Sequence, residues 1–213
     1  MMAARGAGIV GIVLAAGQGR RFDPAGARNK LLQALPAAVG AAPSDTVVEA
    51  SARKLLAALP RVVAVVRPGA PDVADRLRSL GCDVTVCEGA DSGMAASLVH
   101  GLGHARDAQG WLVALGDMPH VQPSTIAALL DALAQGADIA APSHGGRRGN
   151  PVGFGRRHLP LLLALDGDQG ARIILKNHPV NDVAVDDIGI LHDIDTPDDL
   201  RAVRSEGDAK GRQ

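Results

Sequence analysis

Three groups of residues in this chain of 213 residues have types and spacing suited to handling phosphate esters. The first is Ala15-Ala16-Gly17-Gln18-Gly19-Arg20-Arg21, followed at short range by Asn29-Lys30-Leu31-Leu32. Glycines let backbone N–H groups come close to an anion, and the cations neutralise several phosphate charges together. On this reading Arg20 or Arg21 binds the β- and γ-phosphates of a nucleoside triphosphate, and Lys30 offsets charge at the α-phosphate. The plainer alternative is a solvated turn with two exposed arginines; the nearness of Lys30 favours the phosphate grip.

The second group is Trp111-Leu112-Val113-Ala114-Leu115-Gly116-Asp117-Met118-Pro119, an apolar run that ends in Gly-Asp. Mg²⁺ takes one or two carboxylates and completes its octahedron with water and phosphate oxygens, a role that suits Asp117. A turn or helix-capping aspartate is the competing reading. The third group is Leu191-His192-Asp193-Ile194-Asp195-Thr196-Pro197. Alternation puts Asp193 and Asp195 on one face of an extended segment, and either could supply the second metal ligand. Thr196 suits the cap of a helix starting at Pro197. Asp198 and Asp199 then read as first-turn residues stabilised by the helix dipole.

These groups need a scaffold that brings strand ends together. Apolar, β-branched runs at Ile9–Leu14, Val62–Val66, Val84–Val86, Trp111–Leu115 and Ile139–Ala141 read as buried strands. Between them, Thr46–Leu59, Asp72–Leu80, Met94–Ala105 and Thr125–Ala134 have helical spacing. Ser44 or Asp45 can cap the first helix, and Pro123-Ser124 suits the start of the last. Such alternation predicts a three-layer α/β domain with a mostly parallel sheet. Beyond Pro142 it loosens: a short strand over Pro151–Phe154, a helix over Arg172–Asn177, a strand over Val180–Val185 and a helix over Pro197–Val203. Pro36–Pro43 reads as a surface excursion, and residues from Ser205 onward as a frayed polar tail.

Composition narrows the function classes. Hydrophobic residues make up 46% of the chain and aromatics only 1%, so a nucleobase would have to be held by backbone groups and aliphatic side chains. That scarcity, with a net charge of −1, argues against nucleic-acid binding. No apolar run approaches the roughly 20 residues of a membrane span. Cys82 and Cys87 bracket a predicted strand and face opposite sides, so no disulfide is expected and a cytoplasmic location fits.

Several tempting signals are set aside. Gly6-Ala7-Gly8-Ile9-Val10-Gly11 matches a dinucleotide fingerprint literally, but its glycines precede the strand instead of following it. The P-loop pattern is absent. His100 and His104 lie four apart on a helix, but without a third ligand they read as a solvated face.

Taken in order, the motifs resemble the nucleotidyltransferases of molybdenum-cofactor maturation. The matching residues are Leu14-Ala15-Ala16-Gly17 with Arg20, Arg21 and Asn29-Lys30-Leu31-Leu32, then Gly93-Met94-Ala95-Ala96-Ser97-Leu98 and Leu115-Gly116-Asp117-Met118-Pro119. Gly146-Arg147-Arg148-Gly149-Asn150-Pro151, Gly167-Asp168-Gln169-Gly170-Ala171-Arg172 and Asp193-Ile194-Asp195-Thr196-Pro197 complete the set. The resemblance implies a Rossmann-like NTP transferase domain over residues 1–204. It also implies an NTP bound with Mg²⁺, and attack on the α-phosphate by the terminal phosphate of molybdopterin with release of pyrophosphate. Leu14, Ala15, Ala16, Gly17, Gly19, Arg20, Arg21, Lys30, Gly93 and Ser97 would bind the nucleotide. Lys30, Arg20 and Asp117 would be catalytic, and Asp117 with Asp195 would hold the metal.

Alanine at position 16, where the guanylyl-transferring branch has glycine, leaves less room beside the base and resembles the cytidylyl branch. Arginine recognises phosphate bidentately, which makes Arg147, Arg148 and Arg172 candidates for substrate contacts. Arg148, Asn150 and Arg172 would meet the acceptor. A molybdoenzyme or its chaperone would receive the product. Two departures stand out: a longer loop over Phe22–Arg28, and Asn150 where the family usually has histidine. Asparagine hydrogen-bonds but does not titrate near neutrality, so this position bears on the acceptor.

Overall fold

The computed structural model describes residues 8–35, 45–167 and 170–200. The Pro36–Pro43 excursion, a cap by Ser44, the Asp168-Gln169 pair and the tail from Ser205 lie outside the described residues.

Strand β1 (Ile9–Ala15) pairs in parallel with β2 (Val62–Val66) on one side and β4 (Gly110–Leu115) on the other, and β3 (Asp83–Val86) extends the sheet beyond β2. Helices α1 (Val47–Ala58), α2 (Pro71–Leu80) and α3 (Met94–Gly103) connect these strands. After α4 (Pro123–Ala134) come β5 (Ile139–His144), the two-residue β6 (Arg147–Arg148) and β7 (Val152–Gly155). Two short helices, α5 (Leu159–Leu163) and α6 (Arg172–Asn177), precede β8 (Asn181–Ala184). The strand order is β3-β2-β1-β4-β7-β5-β6, with β8 paired to β5. The sheet is mostly parallel; β7 runs antiparallel to both β4 and β5.

Alternation along each strand builds the layers. Val62, Ala64 and Val66 of β2 join Val13 and Ala15 in a core shared with Val48, Leu55, Leu77 and Leu129. Val63 and Val65 join Ile12 in the opposite core with Leu98, Leu102, Trp111 and Phe154. A period of two on strands buried on both faces produces two cores, one under each helical layer. Cys82 and Cys87 fall in different cores and are both free thiols.

Two local expectations need correction. The first turn of α1 is capped by Thr46, whose N–H and Oγ1 both donate to the Glu49 carboxylate at 2.8 and 2.6 Å. Asp45 instead pairs with Arg53 at 2.9 Å. The His100–His104 face is not simply solvated, because both Nε2 atoms hydrogen-bond Thr85 Oγ1 on β3, at 2.7 and 3.0 Å. The hydroxyl on the neighbouring strand was invisible to spacing along the helix.

Candidate active site

The order of the strands creates the site. From β1 the chain moves outward through β2 and β3, then returns to place β4 on the other flank of β1. Loops leaving the carboxyl ends of β1 and β4 must therefore diverge, and open α/β sheets bind ligands in the crevice between such loops. Leu14 and Leu115 are register partners, so Ala16–Arg21 and Gly116–Asp117 emerge side by side. Gly116 fits a tight spot here, since a Cβ would lie 3.2 Å from both the Leu14 oxygen and the Ala15 Cβ.

In the β1 loop, Gly17 is exposed and Gly19 turns the chain with φ +64°. The Gly19 carbonyl accepts from the N–H groups of Phe22 and Asp23 at 2.9 and 3.2 Å. The longer loop that follows is self-supporting. Phe22 is buried, Asp23 accepts from the N–H groups of Ala25 and Arg28, and the Arg28 guanidinium lies over the Phe22 ring. Asn29 then caps a 3₁₀ turn by accepting from the Leu31 N–H at 3.0 Å, which aims Lys30 inward.

Lys30 Nζ donates to Asp117 Oδ2 at 2.6 Å and to Asp195 Oδ1 at 3.0 Å. Arg21 reaches the other Asp195 oxygen at 2.6 Å. The Ile194 N–H donates to the Asp117 carbonyl at 2.8 Å, which holds the Asp193–Asp195 segment alongside the β4 loop. Asp117, Asp193 and Asp195 each offer a carboxylate oxygen, and these atoms lie within 4.8 Å of one another. Three hard oxygen donors at that spacing fit Mg²⁺ or Mn²⁺.

Burial would depress the Lys30 ammonium, but Asp117 and Asp195 more than offset it and its pKa is raised. Burial likewise works to raise Asp195, yet hydrogen bonds from Asp193 and Lys30, and the Lys30 and Arg21 charges, bring it below the ordinary carboxylate range. Asp193, although exposed, moves the other way, raised by partial desolvation and by the neighbouring Asp195 carboxylate. Asp193 and Asp195 are thus displaced in opposite directions, and the Asp195 carboxylate faces both Lys30 and Arg21.

The remaining predicted residues are dispersed around this centre. Arg20 is exposed and makes no ion pair among the described residues. Gly93 is the N-cap of α3, and Ser97 is buried in the same helix. The Ala95 N–H donates to the Gly167 carbonyl, tying the start of α3 to the segment before Arg172, which is exposed at the start of α6. Arg147 is exposed on β6, and its neighbour Arg148 forms a two-point ion pair with Asp182 of β8, at 2.5 and 2.9 Å. Asn150 lines a small apolar cavity behind the Asp117 loop, and its N–H donates to the Ile190 carbonyl at 3.0 Å. Thr196 and Asp199 cap the turn at Pro197 reciprocally, as the first-turn pattern predicts.

Sequence reasoning missed two groups. Gln18 hydrogen-bonds Asp91, whose carboxylate lies 3.7 Å from Arg67, so the loops after β1, β2 and β3 meet. Nothing in their spacing signals this. The second is Lys54, which donates to the Pro119 carbonyl, together with the buried Asp187. Burial lowers the Lys54 pKa, and the Asp187 charge partly offsets that. A lysine beside the Val47, Val48, Ser51, Ala52, Leu55 stripe was the available signal.

A mostly parallel sheet with an anion-ready loop and an acidic triad at its carboxyl edge is an arrangement suited to a nucleotidyltransferase. The chain belongs to the family of the MobA-like NTP transferase domain, which matches residues 11–183. It is 31% identical over 210 residues to the purine catabolism protein PucB of Bacillus subtilis, covering 92% of this chain and 96% of PucB. Rv0371c of Mycobacterium tuberculosis is 31% identical, with a TM-score of 0.77 over 92% of this chain and 98% of that one. That protein is also known in complex with manganese, at 29% identity, a TM-score of 0.72, and 92% and 97% coverage. Molybdopterin-guanine dinucleotide biosynthesis protein A of Archaeoglobus fulgidus shares the fold at 21% identity, with a TM-score of 0.67 and coverage of 94% and 99%. No helix among the described residues is long and apolar enough to cross a membrane.

Proposed function

We propose that this protein transfers CMP from CTP to molybdopterin, releasing pyrophosphate, with Mg²⁺ held by Asp117 and Asp195. The observation that carries the reading is Lys30, an ammonium bound between Asp117 and Asp195 beside the glycine–arginine loop. When bound, the cation neutralises phosphate charge and aligns the triphosphate. Arg20 and Arg21 take the β- and γ-phosphates, with Arg21 leaving Asp195 to do so. Lys30 stabilises charge developing at the α-phosphate as the acceptor phosphate attacks it in line and the bond to pyrophosphate breaks. Backbone groups of Leu14, Ala15, Ala16, Gly17 and Gly19 line the nucleotide, and Gly93 and Ser97 approach its base and ribose. Ala16 favours a pyrimidine over a purine.

Arg148, Asn150 and Arg172 are the proposed acceptor contacts, and Arg148 would exchange Asp182 for the acceptor. The product would pass to a molybdoenzyme or its chaperone in the cytoplasm. Similarity to PucB makes purine catabolism the setting in which to look for that enzyme.

The test is pyrophosphate release measured with each of the four NTPs, with and without molybdopterin, in the presence of Mg²⁺. Release with CTP that depends on molybdopterin is expected. Release with GTP alone among the nucleotides would overturn the base assignment, and release independent of molybdopterin would overturn the acceptor. Binding of NTP without turnover under every condition would point to a non-catalytic homologue.

A further inference from the structure

The metal ligands come from two loops more than 70 residues apart in sequence, and something must hold those loops at a fixed spacing. One end of the junction is the Ile194 N–H bond to the Asp117 carbonyl, within the site itself. The other end is Asp187, whose residue is 2% exposed. Its Oδ2 accepts from the Gln122 N–H at 2.8 Å and from Thr125 Oγ1 at 2.6 Å. Its Oδ1 accepts from the Gly189 N–H at 2.9 Å. Gln122 lies five residues after Asp117, and Asp187 six before Asp193, so the two bonded ends close a ring around the two loops.

The ring is packed without slack. A Cβ at Gly189 would fall 2.3 Å from the His120 carbonyl oxygen, so only glycine lets the loops touch there. Lys54 braces the same loop from α1 through the Pro119 carbonyl, and Asn150 binds the Ile190 carbonyl from the β6–β7 side. Among the described residues, Asp187 makes no hydrogen bond to the carboxylate triad or to the glycine–arginine loop.

We infer that Asp187 is a positioning residue that sets the separation of Asp117 from Asp193 and Asp195, and through it the affinity and symmetry of the metal site. The inference rests on the metal-binding reading above. Asp187 bonds to no ligand directly, so it would act on the metal through the spacing of the two loops.

The experiment is Mn²⁺ titration of the full chain, followed by electron paramagnetic resonance, with no nucleotide present. Asp117→Asn serves as the control for the site and is expected to abolish binding. Asp187→Asn, nearly isosteric, should raise the Mn²⁺ half-saturation several-fold and broaden the bound signal. Thr125→Val, which removes one of the three bonds, should do the same to a lesser degree, and Thr125→Ser should restore wild-type behaviour. Leu77→Ala, in the core under α2, should lower the melting temperature while leaving half-saturation and line shape unchanged. Wild-type half-saturation and line shape in both Asp187→Asn and Thr125→Val would overturn the inference while leaving the metal site standing. Equal shifts in Leu77→Ala would also overturn it, by making the effect one of general stability. Retained binding in Asp117→Asn would overturn the metal reading and the inference with it.

Discussion

Two charge clusters in this molecule use similar chemistry to opposite ends. Lys30 with Asp117 and Asp195 is mostly enclosed, its lysine side chain 9% exposed, at the carboxyl ends of β1 and β4. Arg148 with Asp182 forms a two-point pair between β6 and β8, with both side chains more than 40% exposed. The exposed pair has the better geometry for a carboxylate, yet water and salt screen it, and pairs of this kind contribute about 0–1 kcal/mol. The enclosed cluster is screened less and holds more carboxylate than one lysine requires. Its third member, Asp193, lies at the exposed rim, and its pKa is raised by partial desolvation and by the neighbouring Asp195 carboxylate. The exposed pair is matched charge for charge, whereas the enclosed cluster sets three carboxylates against Lys30 and Arg21, which makes it the candidate for chemistry.

The contrast is broken most directly at the enclosed cluster. Lys30→Ala and Asp117→Ala should each lower turnover by about 10³-fold or more, as expected when a preorganised charge is lost from a phosphoryl-transfer site. Circular dichroism should show the fold retained. Unchanged rates in both variants would remove the mechanism.

The pH dependence of stability sharpens the same contrast. The Lys30 pKa is raised on folding, so its contribution is complete below about pH 10 and lost as pH climbs through the elevated value. The Asp195 pKa is lowered, so its contribution is complete above about pH 4 and lost as pH falls through the depressed value. Thermal melts across this range should give a plateau with both limbs falling. Lys30→Met should flatten the alkaline limb; a limb of unchanged steepness would assign it to other groups.

The smallest effect belongs to the exposed pair. Arg148→Ala should change stability by less than about 1 kcal/mol in urea unfolding, with that change shrinking further in high salt. A larger cost, insensitive to salt, would mean that β6 depends on this pair for its place in the sheet. Acceptor KM in the same variant reads its proposed second role separately: a several-fold rise is expected, and an unchanged KM would confine Arg148 to the ion pair with Asp182.

Much of the architecture was readable because local pattern and buried environment agree. Val62–Val66 is a continuous β-branched run and forms a strand with those bounds, since both of its faces are covered by helices. Arg172–Asn177 likewise matches its predicted helix. The less legible elements are those whose reasons lie elsewhere in the chain. The pair Arg147–Arg148 has no strand pattern and becomes β6 through pairing with Ser143 and His144. The β7 segment runs antiparallel because it is inserted between β4 and β5, an arrangement that composition does not encode. The Thr46 cap was hidden by two equally good capping residues immediately before it.

Residue types and short-range order were enough to determine the alternating strands and helices and the glycine–arginine loop after β1, and to single out Asp117 with either Asp193 or Asp195 as candidate ligands of a hard cation. Those properties follow from side-chain period, backbone freedom and ligand chemistry, all of which act within a few residues. Tertiary structure alone decided that Lys30 bridges Asp117 and Asp195, that Arg148 is held by Asp182, and that Asp187 ties the loop after Asp117 to the one before Asp193. Each is a contact across dozens of residues, set by which strands lie side by side and how closely their loops pack.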